Sequence, residues 1–352
     1  MTDLFLTPLD VWLFRDGRPF DSGGNHRAES LFPPYPSVTQ GAIRSFQLVQ
    51  QGVNLNDRQA IEAAVGTSSD VLDLRLRGPF VARPENGRLI RYFPQPADAV
   101  STGEKHIRPA AIPVPAPAHV RSSARTDLLG LAESLNKGKS RLWLSETALR
   151  NYLRGETVEG LPEDQLFVRE NRLAIGMDNP KRAALQGALY EVEYIRPGTS
   201  TGLWLHLEGE QYSNWPQNGV LSLGGERRGA YFEAITTASA WPALPNPLPP
   251  RFKLYFASPA YFSMGWQPDD WGKFFTEPVT LHAAAVPRYE CMGGYDLSRP
   301  GSPHKPSRRY VPAGSVYYFS GKNVAIRNDL PQQAVTEEGG EIGFGQILVE
   351  GW

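Results

Sequence analysis

Cysteine is nearly absent: Cys291 is the only one in a chain of 352 residues. An intrachain disulfide and a thiolate zinc cluster are therefore both excluded, and a reducing compartment is compatible with the chain. Lysine is scarce as well, with 8 lysines against 28 arginines. The formal net charge is −1. The whole molecule thus has no bulk attraction for a polyanion, and any nucleic-acid contact has to come from local patches. Arginine suits such patches, because its planar fork matches phosphates and base edges. A GC-rich genome would produce the same bias. No apolar run approaches the roughly 20 residues needed to span a bilayer. The signal-peptide pattern is missing too, with Asp3 and Asp10 interrupting the N-terminal stretch. The expectation is a cytoplasmic protein with no membrane partner.

Catalytic and metal motifs are also lacking. The six histidines are His26, His106, His119, His206, His282 and His304. None forms a close pair with metal-ligand spacing, and there is no HExxH, no Walker-type loop and no GxSxG elbow. The carboxylate pairs Asp269-Asp270 and Glu337-Glu338 have no partner motif and read as solvated surface. The chain is thus expected to hold no metal, no cofactor and no catalytic residue. His26, beside Gly23, Gly24 and Arg27, is the one histidine placed to act as acid or base in RNA cleavage. A loop histidine that merely contacts a phosphate is the competing reading.

What the chain does have is 41% hydrophobic residues, enough for a sizeable core, and 21% charged residues, which argues against global disorder. Its length suits two domains. Residues 4–14 read as a strand with Pro8 at a bulge or edge. Ser37 reads as a helix N-cap with Gln40 completing a capping box. Val38, Ala42, Ile43, Phe46 and Val49 would form the apolar face of that helix; Gln40, Arg44, Gln47 and Gln51 would form the polar one. A second helix starts at Asp57. Asn86-Gly87 marks a hairpin over 74–93. Residues 94–120 are proline-rich and read as an extended loop. Residues 126–186 look mainly helical, with Ser145 as a cap. From 187 onward, LYEVEYIRP, GLWLHLEG, AYFEAI, KLYFAS and VYYF read as strands, and GEIGFGQILVEGW reads as a glycine turn feeding a last strand. The sum is an α+β chain with antiparallel sheets, helices on one face and long loop insertions.

Four segments could meet RNA. The first loop carries Arg15, Arg18 and Arg27 with Gly23 and Gly24, and it leads into the helix at Ser37, whose exposed N–H groups favour anions; Arg44 lies on the polar face of that helix. An ordinary connection with surface arginines is the alternative. The terminal run Gly339, Gly340, Gly343, Phe344, Gly345 offers a phosphate-cradling backbone and a ring that could stack on a base, or a plain hairpin turn with Phe344 in the core. Further basic spots are Arg227-Arg228 and the stretch holding Lys305, Arg308 and Arg309, where bases mix with aromatics as on RNA surfaces. A charged strand edge is the bland reading of the latter.

The ordered set PLDVWLFRDGRPFDSGG, FPPYPSVTQGAIRS, ALYEVEYIRPG, LSLGGERR, SPAYFSMGWQP, AAAVPRYECMGGYD, KPSRRYVPAGSVYYF and GFGQILVEGW spans nearly the whole chain. In this order the segments resemble the CRISPR-associated RAMP proteins that serve as third subunit of the type III-B (Cmr) effector complex. The resemblance implies two fused ferredoxin-like, RRM-related domains. These are expected over 1–186, with the hairpin and proline-rich insertion, and over 187–352, with the glycine-rich terminal loop. It implies binding of the 5′ handle of CRISPR RNA, contact with the large polymerase-like subunit and with a backbone RAMP subunit, and no activity of its own, in antiviral defence. The aromatic RNP motifs of RRM domains are not evident, so loops are the expected RNA contacts. Gly23, Gly24, Arg27, the start of the Ser37 helix and Gly343–Gly345 are expected to share one surface. Two other readings stay open: a RAMP endoribonuclease using His26, and a protein scaffold that touches no RNA.

Overall fold

Alternating apolar stretches become strands, and few residues go into helix. The computed structural model describes residues 1–15, 27–67, 70–110, 114–115, 129–130, 141–178, 180–181, 183–236, 238, 240–295 and 304–352. In chain order the main elements are β1 (Thr2–Pro8), β2 (Arg27–Ala28), α1 (Pro36–Gln50), α2 (Arg58–Val65), β3 (Arg75–Glu85), β4 (Arg88–Pro94), β5 (Leu142–Ser145), α3 (Glu146–Leu153), β6 (Phe167–Asp178), β7 (Ala183–Pro197), β8 (Gly202–Glu208), β9 (Asn218–Ser222), β10 (Gly229–Ile235), β11 (Arg251–Phe256), β12 (Thr280–Ala285), β13 (His304–Val311), β14 (Val316–Ser320) and β15 (Ile347–Gly351). The sheets are mostly antiparallel. The chain divides into two compact units with interleaved segments: Met1–Val81, Asp164–Thr236 and Cys291–Arg308 form one; Ala82–Glu163, Thr237–Glu290 and Arg309–Trp352 form the other.

In the first unit β1 is a central strand. It pairs with β8 through Leu4↔Leu205 and with β10 through Leu4↔Ala234, and β9 adds to β10. A central strand is covered on both faces, which is why Leu4-Phe5-Leu6 runs without a polar break; all three are buried. Each such leucine contributes about 2 kcal/mol by leaving water. The chain leaves this sheet after Pro8, earlier than the strand expected over 4–14, since a proline cannot donate to a continuing ladder. α1 packs on the sheet by setting Phe46 against Trp215 and Phe232, with ring centroids 4.9 and 5.2 Å apart.

Two local expectations for α1 are corrected. Its N-cap is Tyr35, with no side-chain cap, and Pro36 opens the first turn; Ser37 lies one residue inside the helix. The fixed φ of proline already suits that first position, where no N–H is needed. The buried stripe is also rotated: Gln47 is buried, whereas Val49 is 67% exposed. Asp57 and Ser145 do cap α2 and α3, accepting from Ala60 N (3.1 Å) and Ala148 N (3.2 Å).

The larger correction concerns 126–186. Its described residues beyond 140 hold one eight-residue helix, α3, and then strands. β6 and β7 form a long antiparallel ribbon, with Phe167↔Pro197 at one end and Asp178↔Ala183 at the other. β2 adds to β7 in parallel, with Arg27 opposite Glu191.

In the second unit β11 lies between β14 and β15, and β12 covers the far side of β14. Phe252, Leu254, Phe256, Tyr317 and Phe319 form its core. Asp98, fully buried, accepts from the hydroxyls of Tyr152 on α3 (2.8 Å) and of Tyr318 on β14.

Candidate nucleic-acid interface

The opening loop is held at both ends on β7. Trp12 bridges Ile195, Arg15 bridges Ser30, and Leu31 N donates to Phe14 O at 2.8 Å. Val11, Leu13, Ala28, Val192 and Tyr194 make a small core beneath it. One carboxylate organises the loop's exit. Glu193, 5% exposed, accepts from Ser30 N (3.2 Å), Arg27 (3.3 Å) and Arg169 (2.7 Å). Arg169 donates a second bond to Ser30 O at 2.7 Å, and Ser30 Oγ donates to Glu193 O at 2.6 Å. Arg27 is thus partly committed to fixing the loop. Arg18, Gly23, Gly24 and His26 lie outside the described residues.

The turn Gly224–Arg228 packs against the loop's entry. Gly225 N donates to Leu13 O at 2.7 Å, and a Cβ on Gly224 would stand 2.4 Å from that same oxygen. Glu226 and Arg227 both have positive φ, 56° and 51°. Such backbone costs of order 1 kcal/mol per residue and persists where the surroundings impose it. Arg227 is exposed. Arg228 stacks over the Tyr194 ring at 4.8 Å, and Arg172 of β6 stacks over the same ring at 4.9 Å. The Tyr194 hydroxyl meets both oxygens of Glu226, at 3.0 and 3.1 Å. Burial, together with that carboxylate, pushes the phenol above its ordinary range. Glu170 takes hydrogen bonds from Arg196 and Arg172, both at 2.6 Å, and these hold its carboxyl below the usual range.

Expected residues Arg15, Arg27, Arg227 and Arg228 therefore gather around the base of the opening loop. Arg169, Arg172, Arg196 and Tyr194 join them unannounced. The two β6 arginines lie in 126–186, where a helical period is expected, and the sequence marks Tyr194 and Arg196 only as part of a strand.

Each of the other expected residues has its own local setting. Arg44 donates to Gly66 O at 2.7 Å, at the C-terminal end of α2. Ser37 is exposed on the first turn of α1. Lys305 and Arg309 are exposed on β13 and Arg308 is half-buried; Arg309 covers the Tyr289 ring at 4.7 Å. Gly343 and Gly345 take φ of 107° and 65° in a packed turn, where Gly345 N donates to Pro259 O and Val335 N to Gly345 O, each at 2.8 Å. Phe344 is 4% exposed, its ring 5.2 Å from Tyr310. The terminal glycines belong to the second compact unit, and Arg27 and Ser37 to the first.

Among the described residues no group of three or more His, Cys, Asp or Glu side chains is placed to hold a metal ion. No helix among them is long and apolar enough to cross a membrane.

Comparison with solved structures gives a chain of type III-B Cmr-beta, bound to cognate target RNA and AMPPnP, at 15% identity and a TM-score of 0.51, covering 90% of this chain and 86% of that one. A chain of type III-B Cmr-beta bound to cognate target RNA matches at 14% identity and a TM-score of 0.48, covering 90% of this chain and 86% of that one. No curated protein sequence matches. The model of the family described as CRISPR-associated protein (Cas_Cmr3) matches residues 4–352. With the match running over nearly every residue, the chain belongs to the Cas_Cmr3 family of CRISPR-associated proteins.

Proposed function

We infer that this chain is a non-catalytic, RNA-binding subunit of a type III-B CRISPR effector complex, acting in the cytoplasm in antiviral defence. In this reading it recognises the 5′ handle of the CRISPR RNA and bridges the large polymerase-like subunit to a backbone RAMP subunit. Two fused ferredoxin-like domains would carry these roles. Family membership supports the assembly; one observation supports the RNA contact. Arginines from the opening loop, from the ribbon and from the Gly224–Arg228 turn converge at the loop's base, with two guanidinium groups stacked on Tyr194. Guanidinium groups ordered in this way are suited to phosphates and to base edges. Arg15, Arg18, Arg27, Arg227 and the glycines Gly23 and Gly24 are the proposed first contacts, and Lys305, Arg308 and Arg309 a second group.

Crosslinking of handle RNA to the assembled complex tests the assignment. Crosslinks are expected in the opening loop and the Gly224–Arg228 turn. Binding should weaken with salt, each phosphate contributing a log–log slope of about −0.7 for a single strand. Absence of salt-dependent affinity with the large subunit present would instead identify a protein scaffold. Cleavage of a repeat-containing RNA without metal, lost in His26→Ala, would identify an endoribonuclease.

A further inference from the structure

Asp10 follows β1 in the turn that carries the chain from the sheet to the ribbon. Its backbone is fixed from two sides. Leu9 N donates to Gly229 O at 3.0 Å, and Trp12 exchanges hydrogen bonds with Ile195 at 2.9 and 2.8 Å. The carboxylate is half exposed and is approached by three guanidinium groups: Arg196 at 3.3 Å, Arg172 at 3.6 Å and Arg228 at 3.7 Å. These arginines come from β7, β6 and the turn before β10.

The three cations are already positioned by other partners. Arg172 and Arg228 stack on Tyr194, and Glu170 and Glu226 bind the cluster at 2.6 and 2.8 Å. The shortest contact to Asp10, 3.3 Å from Arg196, is longer than the shortest to Glu170 (2.6 Å) or Glu226 (2.8 Å), and of its three contacts only that one is a hydrogen bond. Asp10 is therefore the most weakly held anion at the meeting point of three ordered guanidinium groups. A phosphodiester carries the same charge with more acceptor oxygens, and it suits several guanidinium donors at once.

We propose that Arg172, Arg196 and Arg228 form a phosphate-binding nest that the chain's own Asp10 occupies, so that a phosphodiester of single-stranded RNA enters by displacing this carboxylate. The choice of RNA as the source of the phosphate rests on the reading above; the nest rests on the geometry alone. Such a device weakens binding to stray RNA and leaves full occupancy to a strand held by other contacts as well.

The test uses the full chain and a short single-stranded RNA of mixed sequence, followed by fluorescence anisotropy across a salt series. Asp10→Asn keeps the side chain's shape and removes its charge. It should tighten binding about fivefold and steepen the log–log salt slope by about 0.7. Adding Arg196→Ala to Asp10→Asn should cancel the gain, with circular dichroism checking that both variants keep their fold. Equal or weaker binding by a folded Asp10→Asn variant overturns the nest, while salt-dependent binding by the parent chain would leave the RNA reading standing. If no form binds RNA, titration with inorganic phosphate separates the two. Phosphate binding by Asp10→Asn that Arg196→Ala abolishes supports the nest and removes RNA as its ligand. Failure of both probes overturns the nest.

Discussion

His206 in β8 lies between two carboxylates, with Nδ1 2.6 Å from Asp3 and Nε2 2.8 Å from Glu208. Burial opposes a charge on the ring, but the bonds to Asp3 and Glu208 outweigh it and hold the imidazole above its ordinary range. The folded state thus binds the proton more tightly than the unfolded state. The resulting stability is fully present below the unfolded value of about 6.5 and fades as pH rises through the higher folded one. His206→Gln should therefore be less stable than the parent at a pH of about 6 and match it in alkaline solution. Urea denaturation across pH checks this, and a gap that stays constant would sink the idea. Glu193 offers a second test. Its removal leaves Arg27, Arg169 and Ser30 N without their shared acceptor. Glu193→Ala should cost about 3 kcal/mol in the same assay, and a cost near zero would mean that the loop's exit is held by packing alone.

Helix caps separate what a sequence motif shows from what it only suggests. Ser145 accepts from Ala148 N, so Ser145→Ala should cost about 1 kcal/mol. Ser37 caps nothing, and Ser37→Ala should stay within about 0.5 kcal/mol of the parent in thermal denaturation. Both serines precede an apolar run; the difference is Pro36, which takes the first helical position and moves the cap to Tyr35. Elements with strong local chemistry were legible, as Asn86-Gly87 demonstrates: it turns with positive φ at both residues. The β6–β7 ribbon was not legible. The α3 run ETALRNYL supplied a helical period just before it, and β6 was absorbed into that reading. The overlooked signal is the alternation along β6, where residues 171, 173, 175 and 177 are exposed and 172, 174 and 176 less so. The terminal glycine turn was legible as a turn, with Phe344 in the core as one of two open readings, but the close approach of backbone to Gly345 was not. A Cβ on Gly345, at φ of +65°, would stand 2.7 Å from Val335 O. Gly345→Ala should therefore lower stability by about 2 kcal/mol or more without changing RNA affinity per folded molecule.

At the scale of the molecule, the near-zero net charge is reproduced locally. Arg27 and Arg169 share Glu193, and Arg172, Arg196 and Arg228 share Asp10, Glu170 and Glu226. The arginines of the loop and the turn are legible in the sequence; their pairing with acids from distant segments is not. The interleaving of the two compact units was hidden for the same reason, because no local pattern states which strands become neighbours. It has a direct consequence for dissection. Both neighbours of β1 come from beyond residue 200. A fragment ending at residue 186 should show no cooperative unfolding by circular dichroism, whereas a folded fragment would refute the pairing.

The placement of β1 also bears on how the chain is made. This strand leaves the ribosome well before its partners, and it must wait for β8 and then β10 before its backbone and its Leu4-Phe5-Leu6 run are covered. At about 5–20 residues per second that delay lasts on the order of 10–40 s. Throughout it, an apolar segment with an open edge is exposed to other chains. The yield of soluble protein should therefore respond to chaperone supply and to translation rate before it responds to anything in the finished fold.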